Sequence, residues 1–252
     1  GMLSGTGIAA FVGFGYAAGD PVRYTYASSH SCDDYTLDAE WRETYTRNGE
    51  TTLLEDTTPG GSGSEPDEPG LIQLDNVLPG DRGTVSFSLT ADQANADASD
   101  TVSPTLGIDL TDRGENGLTD PEEAAGDTTE TVGELQEYLQ VTVWKNTGIL
   151  GIDALGADDL TQQITEPTIS EGTLADVAAD LSDEGLGTID ATADDDSVSV
   201  TLRWEFANDA QINEAQTDSV TFALDIGCGG GSSWPLRPPT APATPCRLTP
   251  VY

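Results

Sequence analysis

Strict alternation constrains this chain more than anything else in it. In SVSVTLRWEF, Val198, Val200, Leu202, Trp204 and Phe206 fall on one side, and Ser199, Thr201, Arg203 and Glu205 on the other. In GTVSFSLT, Val85, Phe87 and Leu89 alternate with Ser86, Ser88 and Thr90. Successive side chains of a strand point to opposite faces, so a period of two builds a ribbon with one apolar face. The pattern recurs at Tyr35, Leu37, Ala39 and Trp41, at Leu106, Ile108 and Leu110, at Leu139, Val141 and Val143, and at Val220, Phe222, Leu224 and Ile226. One apolar face per strand needs a second sheet to cover it, so the expected class is all-β, a two-layer antiparallel sandwich. Short helices are expected in its long acidic loops. Val132, Leu135 and Leu139 suit one, and Thr173 is the expected N-cap of another that ends at Leu181.

Ahead of the Val85 strand stands Pro79-Gly80-Asp81. Proline presets its own φ, glycine accepts a positive one, and Asp81 is expected to bond the backbone just beyond it. The corner therefore reads as a structural turn rather than a reactive loop. Residues 57–70 read as a flexible acidic insertion and 112–130 as a solvated loop. Past Ile226 the text becomes rich in Gly and Pro and nearly free of acid, as a linker or a shifted reading frame would be. The expected division is an N-terminal segment, 1–27, a sandwich domain, 28–226, and a tail without packed elements, 227–252.

Charge sets the surroundings. There are 45 acidic residues against 9 basic ones, for a net charge of −36. Such a surface repels itself at ordinary ionic strength, whereas in molar salt the screening length falls to about 3 Å. A halophilic host follows. The same charge opposes direct binding to nucleic acid or anionic lipid. From Met2 to Ala18 the chain is small and apolar, with no charge before Asp20, which suits the apolar region of a signal peptide. Cleavage sites are offered around Ala17-Ala18 and Thr25-Tyr26-Ala27, and the competing reading is a buried first strand or helix. Secretion or display at the cell surface is expected, with no stable membrane span after signal removal. Of three cysteines, Cys32 and Cys228 flank the domain and are the candidate disulfide in an oxidising compartment, and the odd count leaves one unpaired if any bridge exists.

Chemistry is harder to find. A hydrolase triad needs a base, and the only His is His30, in a polar stretch. There is no H-E-x-x-H, and no phosphate-binding loop follows a strand. Nothing singles out a glycosidase pair among the 45 acids. Asp194 to Ser197 lacks the spacing of a calcium loop and reads as a hairpin end. Trp41, Trp144 and Trp204 lie on strands and are expected in the core, although an exposed set would stack on sugar. No catalytic residue, cofactor or metal ligand is assigned, and no enzyme is expected.

Three segments carry a resemblance: LPGDRGTVSFSLT, GELQEYLQVTVWKNTG and VSVTLRWEFANDAQINEAQTDSVTFALDI. With the early Leu37-Asp38-Ala39-Glu40-Trp41, they resemble haloarchaeal proteins with SipW-dependent-type signal peptides. Those belong to the wider TasA/camelysin-like group of surface and biofilm-matrix fibre proteins. The likeness runs over residues 1–226, strongest in those blocks, and departs from the group's pattern in YTYASSH, in the long acidic insertions and after Ile226. It implies an exported jelly-roll-like sandwich that polymerises or decorates the cell surface. In such fibres an N-terminal segment completes a neighbour's sheet, and a head-to-tail contact of that kind propagates into a filament. Here the candidate donor strand holds Val22, Tyr24 and Tyr26 at period two, the plain alternative being an edge strand of the same subunit. A monomeric adhesion or carbohydrate-binding module, with matrix polysaccharide as partner, is the second reading. A camelysin-like metallopeptidase is the third.

Overall fold

The computed structural model describes residues 21–27, 29–31, 35–56, 67–93, 100–146, 167–193, 196–207, 212–215 and 217–228. A five-stranded sheet has the order β1 (Val22–Ala27), β5 (Asp67–Leu74), β14 (Ser219–Cys228), β8 (Pro104–Gly114), β11 (Glu184–Gly185). A seven-stranded sheet has the order β10 (Thr168–Thr173), β9 (Leu139–Asn146), β13 (Val198–Phe206), β6 (Arg82–Gln93), β3 (Tyr35–Arg47), β2 (Ser29–Ser31), with β4 (Glu50–Asp56) also paired to β3. A small ribbon joins β7 (Thr101–Val102) to β12 (Ile189–Asp190). The short helices are α1 (Asp120–Ala125), α2 (Leu135–Tyr138) and α3 (Leu174–Asp180), with a 3-10 turn at Ile212–Ala215. Strand pairing among the described residues is antiparallel, and the all-β sandwich expected from the alternation is what forms. None of the described helices is long and apolar enough to cross a membrane.

The two apolar faces share one core. Leu37, Trp41, Phe87, Leu89, Trp204 and Phe206 come from the larger sheet, and Ile72, Leu74, Leu106, Phe222 and Leu224 from the smaller. Trp204 needs a partner without a side chain. It lies opposite Gly83 in the β13–β6 register, and a Cβ there would come within 2.6 Å of the indole nitrogen. The opposite face of the larger sheet is sealed by hydroxyls, with Thr44 bonded to Thr84 at 2.8 Å, Ser86 to Thr201 at 2.8 Å and Ser88 to Ser199 at 2.9 Å. These cross-strand pairs keep Thr44, Thr84, Ser86 and Thr201 buried without an unpartnered hydroxyl.

Several local expectations need correction. Trp144 is 6 % exposed but stands outside the apolar core, on the hydroxyl side of β9, because Leu139, Val141 and Val143 take the inward parity. Residues 112–130 are not a plain solvated loop: they contain α1, and Glu122 and Asp127 are buried. The end of the supposed insertion, residues 67–70, belongs to β5, while 57–66 lie outside the described residues. An additional strand, β4, returns from β3 through Asn48 and Gly49, both at positive φ, a two-residue hairpin signal. The packed domain also exceeds 28–226, since β1 lies in the sheet from Val22 and β14 continues to Cys228. Elsewhere the local chemistry behaves as read. The Thr173 hydroxyl accepts from Asp176 N–H at 3.1 Å, capping α3.

Candidate functional site

Three places carry the chemistry of this fold: the Pro79-Gly80-Asp81 corner, the β1 edge, and a pocket of carboxylates at one end of the smaller sheet. At the corner Gly80 has φ +91° and Asp81 N–H donates to Leu78 O at 2.8 Å. The Asp81 carboxylate turns back instead of forward. It accepts from Leu78 N–H at 2.7 Å, Tyr45 Oη at 2.6 Å and Arg47 Nη2 at 2.6 Å, so its nearest backbone partner precedes it in the chain. Gly80 N–H to Phe206 O and Phe206 N–H to Asp81 O pin the corner to the end of β13. The Arg47 guanidinium also lies 5.4 Å from the centre of the Tyr45 ring, which stacks near Trp204. Burial first, then the bonded Asp81 carboxylate, holds the Tyr45 phenol above its ordinary range. The buried Asp81 carboxylate is thus answered by a phenol, a guanidinium and a backbone N–H.

Among the described residues the β1 edge is held by one neighbour. Val22, Arg23, Tyr24 and Thr25 pair with Leu74, Gln73, Ile72 and Leu71 of β5, and the ladder is irregular between Thr25 and Ala27. Val22 is buried, and Tyr24 packs against the core with its hydroxyl accepting from Trp204 Nε1 at 3.2 Å. Burial raises the Tyr24 phenol, so it stays neutral. Tyr26 lies in β1, but its side chain falls outside the described residues. In this monomeric arrangement β1 is an edge strand of its own subunit.

The pocket lies where β8 ends and β14 begins. Glu115 follows β8, Glu122 sits in α1, Asp127 follows α1, Glu134 precedes α2, and Asp218 precedes β14. A carboxylate oxygen from each of Glu115, Glu122 and Asp218 lies within 4.8 Å of the other two, and the same holds for Glu115, Asp127 and Glu134. Local bonds fix the frame. Glu122 accepts from Thr119 N–H at 2.5 Å and Thr217 N–H at 3.1 Å, Asp127 Oδ1 from Thr129 N–H at 2.8 Å, and Asp218 Oδ2 from Glu134 N–H at 2.5 Å. Gly133 is required for this approach, because a Cβ there would lie 2.6 Å from Gly114 O and 2.7 Å from Asp218 Cγ.

Inside that frame, both Glu115 oxygens, Asp127 Oδ2, Glu134 Oε2 and Asp218 Oδ1 are buried without a hydrogen-bond partner. Oxygens of Glu115 and Asp218 lie within 4.8 Å of each other, and while both groups are ionised neither offers a donor. No Lys or Arg side chain among the described residues pairs with any of the five. Burial first, and then the Glu115 and Glu134 charges, push Asp218 up to about 7 against the opposing Glu134 N–H. Burial and neighbouring acids raise Glu115 and Glu134 as well. With Glu122 fully buried and Asp218 2 % exposed, a sugar cannot reach these acids as it must reach a glycosidase pair.

The remaining candidates are dispersed. His30 lies in β2 opposite Leu37, with its side chain outside the described residues. Cys228, at the end of β14, is disulfide-bonded, while Cys32 and Cys246 both lie outside the described residues. Of the Asp194–Ser197 stretch, Asp196 accepts from Asp190 N–H at 2.6 Å in the turn after β12, and Asp194 and Asp195 lie outside the described residues. Trp41 and Trp204 are core residues. The sequence reading did not find the pocket at all. No family model matches the chain, and no curated protein matches it.

Proposed function

We propose that this chain is an exported structural protein of the surface or extracellular matrix of a salt-adapted organism, and that it assembles head to tail by giving β1 to a neighbour. The β1 edge carries the reading. A strand with one lateral neighbour among the described residues, at their N-terminal end, can leave its β5 and occupy the same position on another copy. Every contact broken in one subunit is remade in the next, so exchange costs little beyond the opening step. Main-chain bonds to β5 supply affinity, while the Val22 and Tyr24 seats set the register. The resemblance to TasA/camelysin-like matrix proteins and their jelly-roll-like fold points the same way. The adhesion alternative has less support, since Trp41, Trp144 and Trp204 are all buried and present no stacking face. A peptidase has less still: the chain has a single His, His30 in β2, and no H-E-x-x-H.

Arg23→Cys combined with Gln73→Cys tests the reading, because these positions face each other across β1 and β5. Opposed strand residues lie about 4.5–5.5 Å apart at Cα, within disulfide reach. Oxidation of filaments formed in molar NaCl should link successive chains, giving a ladder of multimers on a non-reducing gel. A single monomer band, with no filaments by negative-stain microscopy, sinks the proposal.

A further inference from the structure

We infer that Glu115, Glu122, Asp127, Glu134 and Asp218 form a calcium site that fastens one end of the two sheets together. Five acids from four separate segments form two neighbouring triads that share Glu115, and five of their oxygens are buried without a donor. Acidic clusters on a halophilic surface are ordinary because water solvates them. Here Glu122, Asp127 and Asp218 are 0 %, 8 % and 2 % exposed, so water cannot do that work. Buried charges of one sign require a counter-charge or a proton, and among the described residues no guanidinium or ammonium supplies the former.

The donor set selects the ion. Neither group contains His or Cys, so a hard cation fits better than zinc or copper. Calcium takes six to eight oxygens at about 2.3–2.6 Å, which places opposed ligands roughly 5 Å apart, and the converging oxygens lie within 4.8 Å. Magnesium demands a smaller, near-octahedral shell and keeps several waters, which a cage of buried carboxylates does not favour. Glu115 belongs to both groups and is the shared ligand.

The consequence is mechanical. Glu115 and Asp218 end β8 and begin β14 in the five-stranded sheet, whereas Glu134 leads through α2 into β9 of the seven-stranded sheet. An ion in the second group, held by Glu115 and Glu134, fixes the end of β8 relative to the start of β9, and one in the first, held by Glu115 and Asp218, fixes β8 relative to β14. The site also acts at the end where β1 starts, since Val22, Leu74, Val220 and Arg113 form one row across β1, β5, β14 and β8. The site does not depend on polymerisation and exists in a monomer too.

Thermal unfolding of the full chain in molar NaCl, after treatment with EDTA and exchange into calcium or magnesium chloride, tests the assignment. Saturating calcium is expected to raise Tm by roughly 5–10 °C, with magnesium giving a clearly smaller shift. Glu115→Gln and Asp218→Asn, each nearly isosteric, should remove the calcium response while raising Tm in EDTA, because each relieves repulsion. Equilibrium dialysis against radioactive calcium should leave at least one ion per wild-type chain. An unchanged Tm in calcium, an equal response to magnesium, or a full response in both variants overturns the proposal. Absence of retained calcium does the same, even if the variants fail to fold.

Discussion

Asp81 and Asp218 are both buried to the same extent, 2 % exposed, and both stand just before a strand of the core. Their surroundings differ in one respect. Around Asp81 the fold has gathered a guanidinium, a phenol and a backbone N–H. Around Asp218 it has gathered one N–H and further carboxylates. A buried acid answered by donors organises a corner permanently, while one answered by acids holds its place only with something added. The difference separates internal architecture from a place for an outside ion.

The sharpest way to break that contrast is Asp81→Ala. It strips Arg47, Tyr45 and Leu78 N–H of their common acceptor, and because the Arg47 side chain is 31 % exposed the cost should be about 2–3 kcal/mol. Urea unfolding in molar NaCl should show that loss with calcium and with EDTA alike. A loss under about 1 kcal/mol would mean that the corner is held by its turn and the core instead of by the carboxylate.

A second expectation concerns pH. Asp218 rises from its ordinary value of 3.8 to about 7 in the fold, so the folded state binds a proton more tightly than the unfolded chain. The stability it contributes is therefore fully present below about pH 4 and is lost as pH rises through about 7. In EDTA, Tm should fall across that window. Calcium takes the proton's place, so in its presence the fall should flatten and binding should release protons. Identical pH profiles with and without calcium would contradict this coupling. Asp218→Asn should abolish this part of the profile.

The strands were legible because alternation is local. Val85, Phe87 and Leu89 announce their face within five residues, and a sheet needs only that face to be covered. Thr173 was legible for the same reason, its cap partner Asp176 being three residues away. The pocket was not. Asp218 meets Glu115 and Glu134 only because β14 pairs with β8, and nothing short-range connects those residues. Abundance hid it further: in a chain with 45 acids each of these five looks like surface. Trp144 was misplaced through its own regularity, since it follows an inward valine and so takes the other face. Asn48-Gly49, by contrast, was a visible hairpin signal passed over.

A smaller effect probes how firmly β1 is held. Tyr24→Phe keeps the ring but removes the acceptor of Trp204 Nε1, leaving that N–H buried and unpaired at a cost of about 1–2 kcal/mol. If β1 exchanges between subunits, the variant should also assemble faster, because the opening step is easier, even though each finished contact is weaker. Light scattering at matched protein and salt concentration checks this. Slower assembly at equal stability would detach the Tyr24 seat from the exchange.

The smallest effect is expected where the charges resemble those of the corner most closely. Arg203 Nη2 and Glu205 Oε2 are 2.7 Å apart, almost the 2.6 Å of Arg47 and Asp81, but the Glu205 side chain is 41 % exposed against 3 % for Asp81. Water and salt already answer the exposed carboxylate, so losing its partner leaves nothing stranded. Arg203→Ala should cost under about 1 kcal/mol, and the remaining electrostatic part should shrink further between 0.5 and 3 M NaCl as screening shortens. Arg47→Ala in the same series should cost several times more and change little with salt. Equal losses for the two would show that length of contact, not burial of the acid, decides what an ion pair contributes in this protein. The calcium-free pocket would then have to be judged by its distances alone.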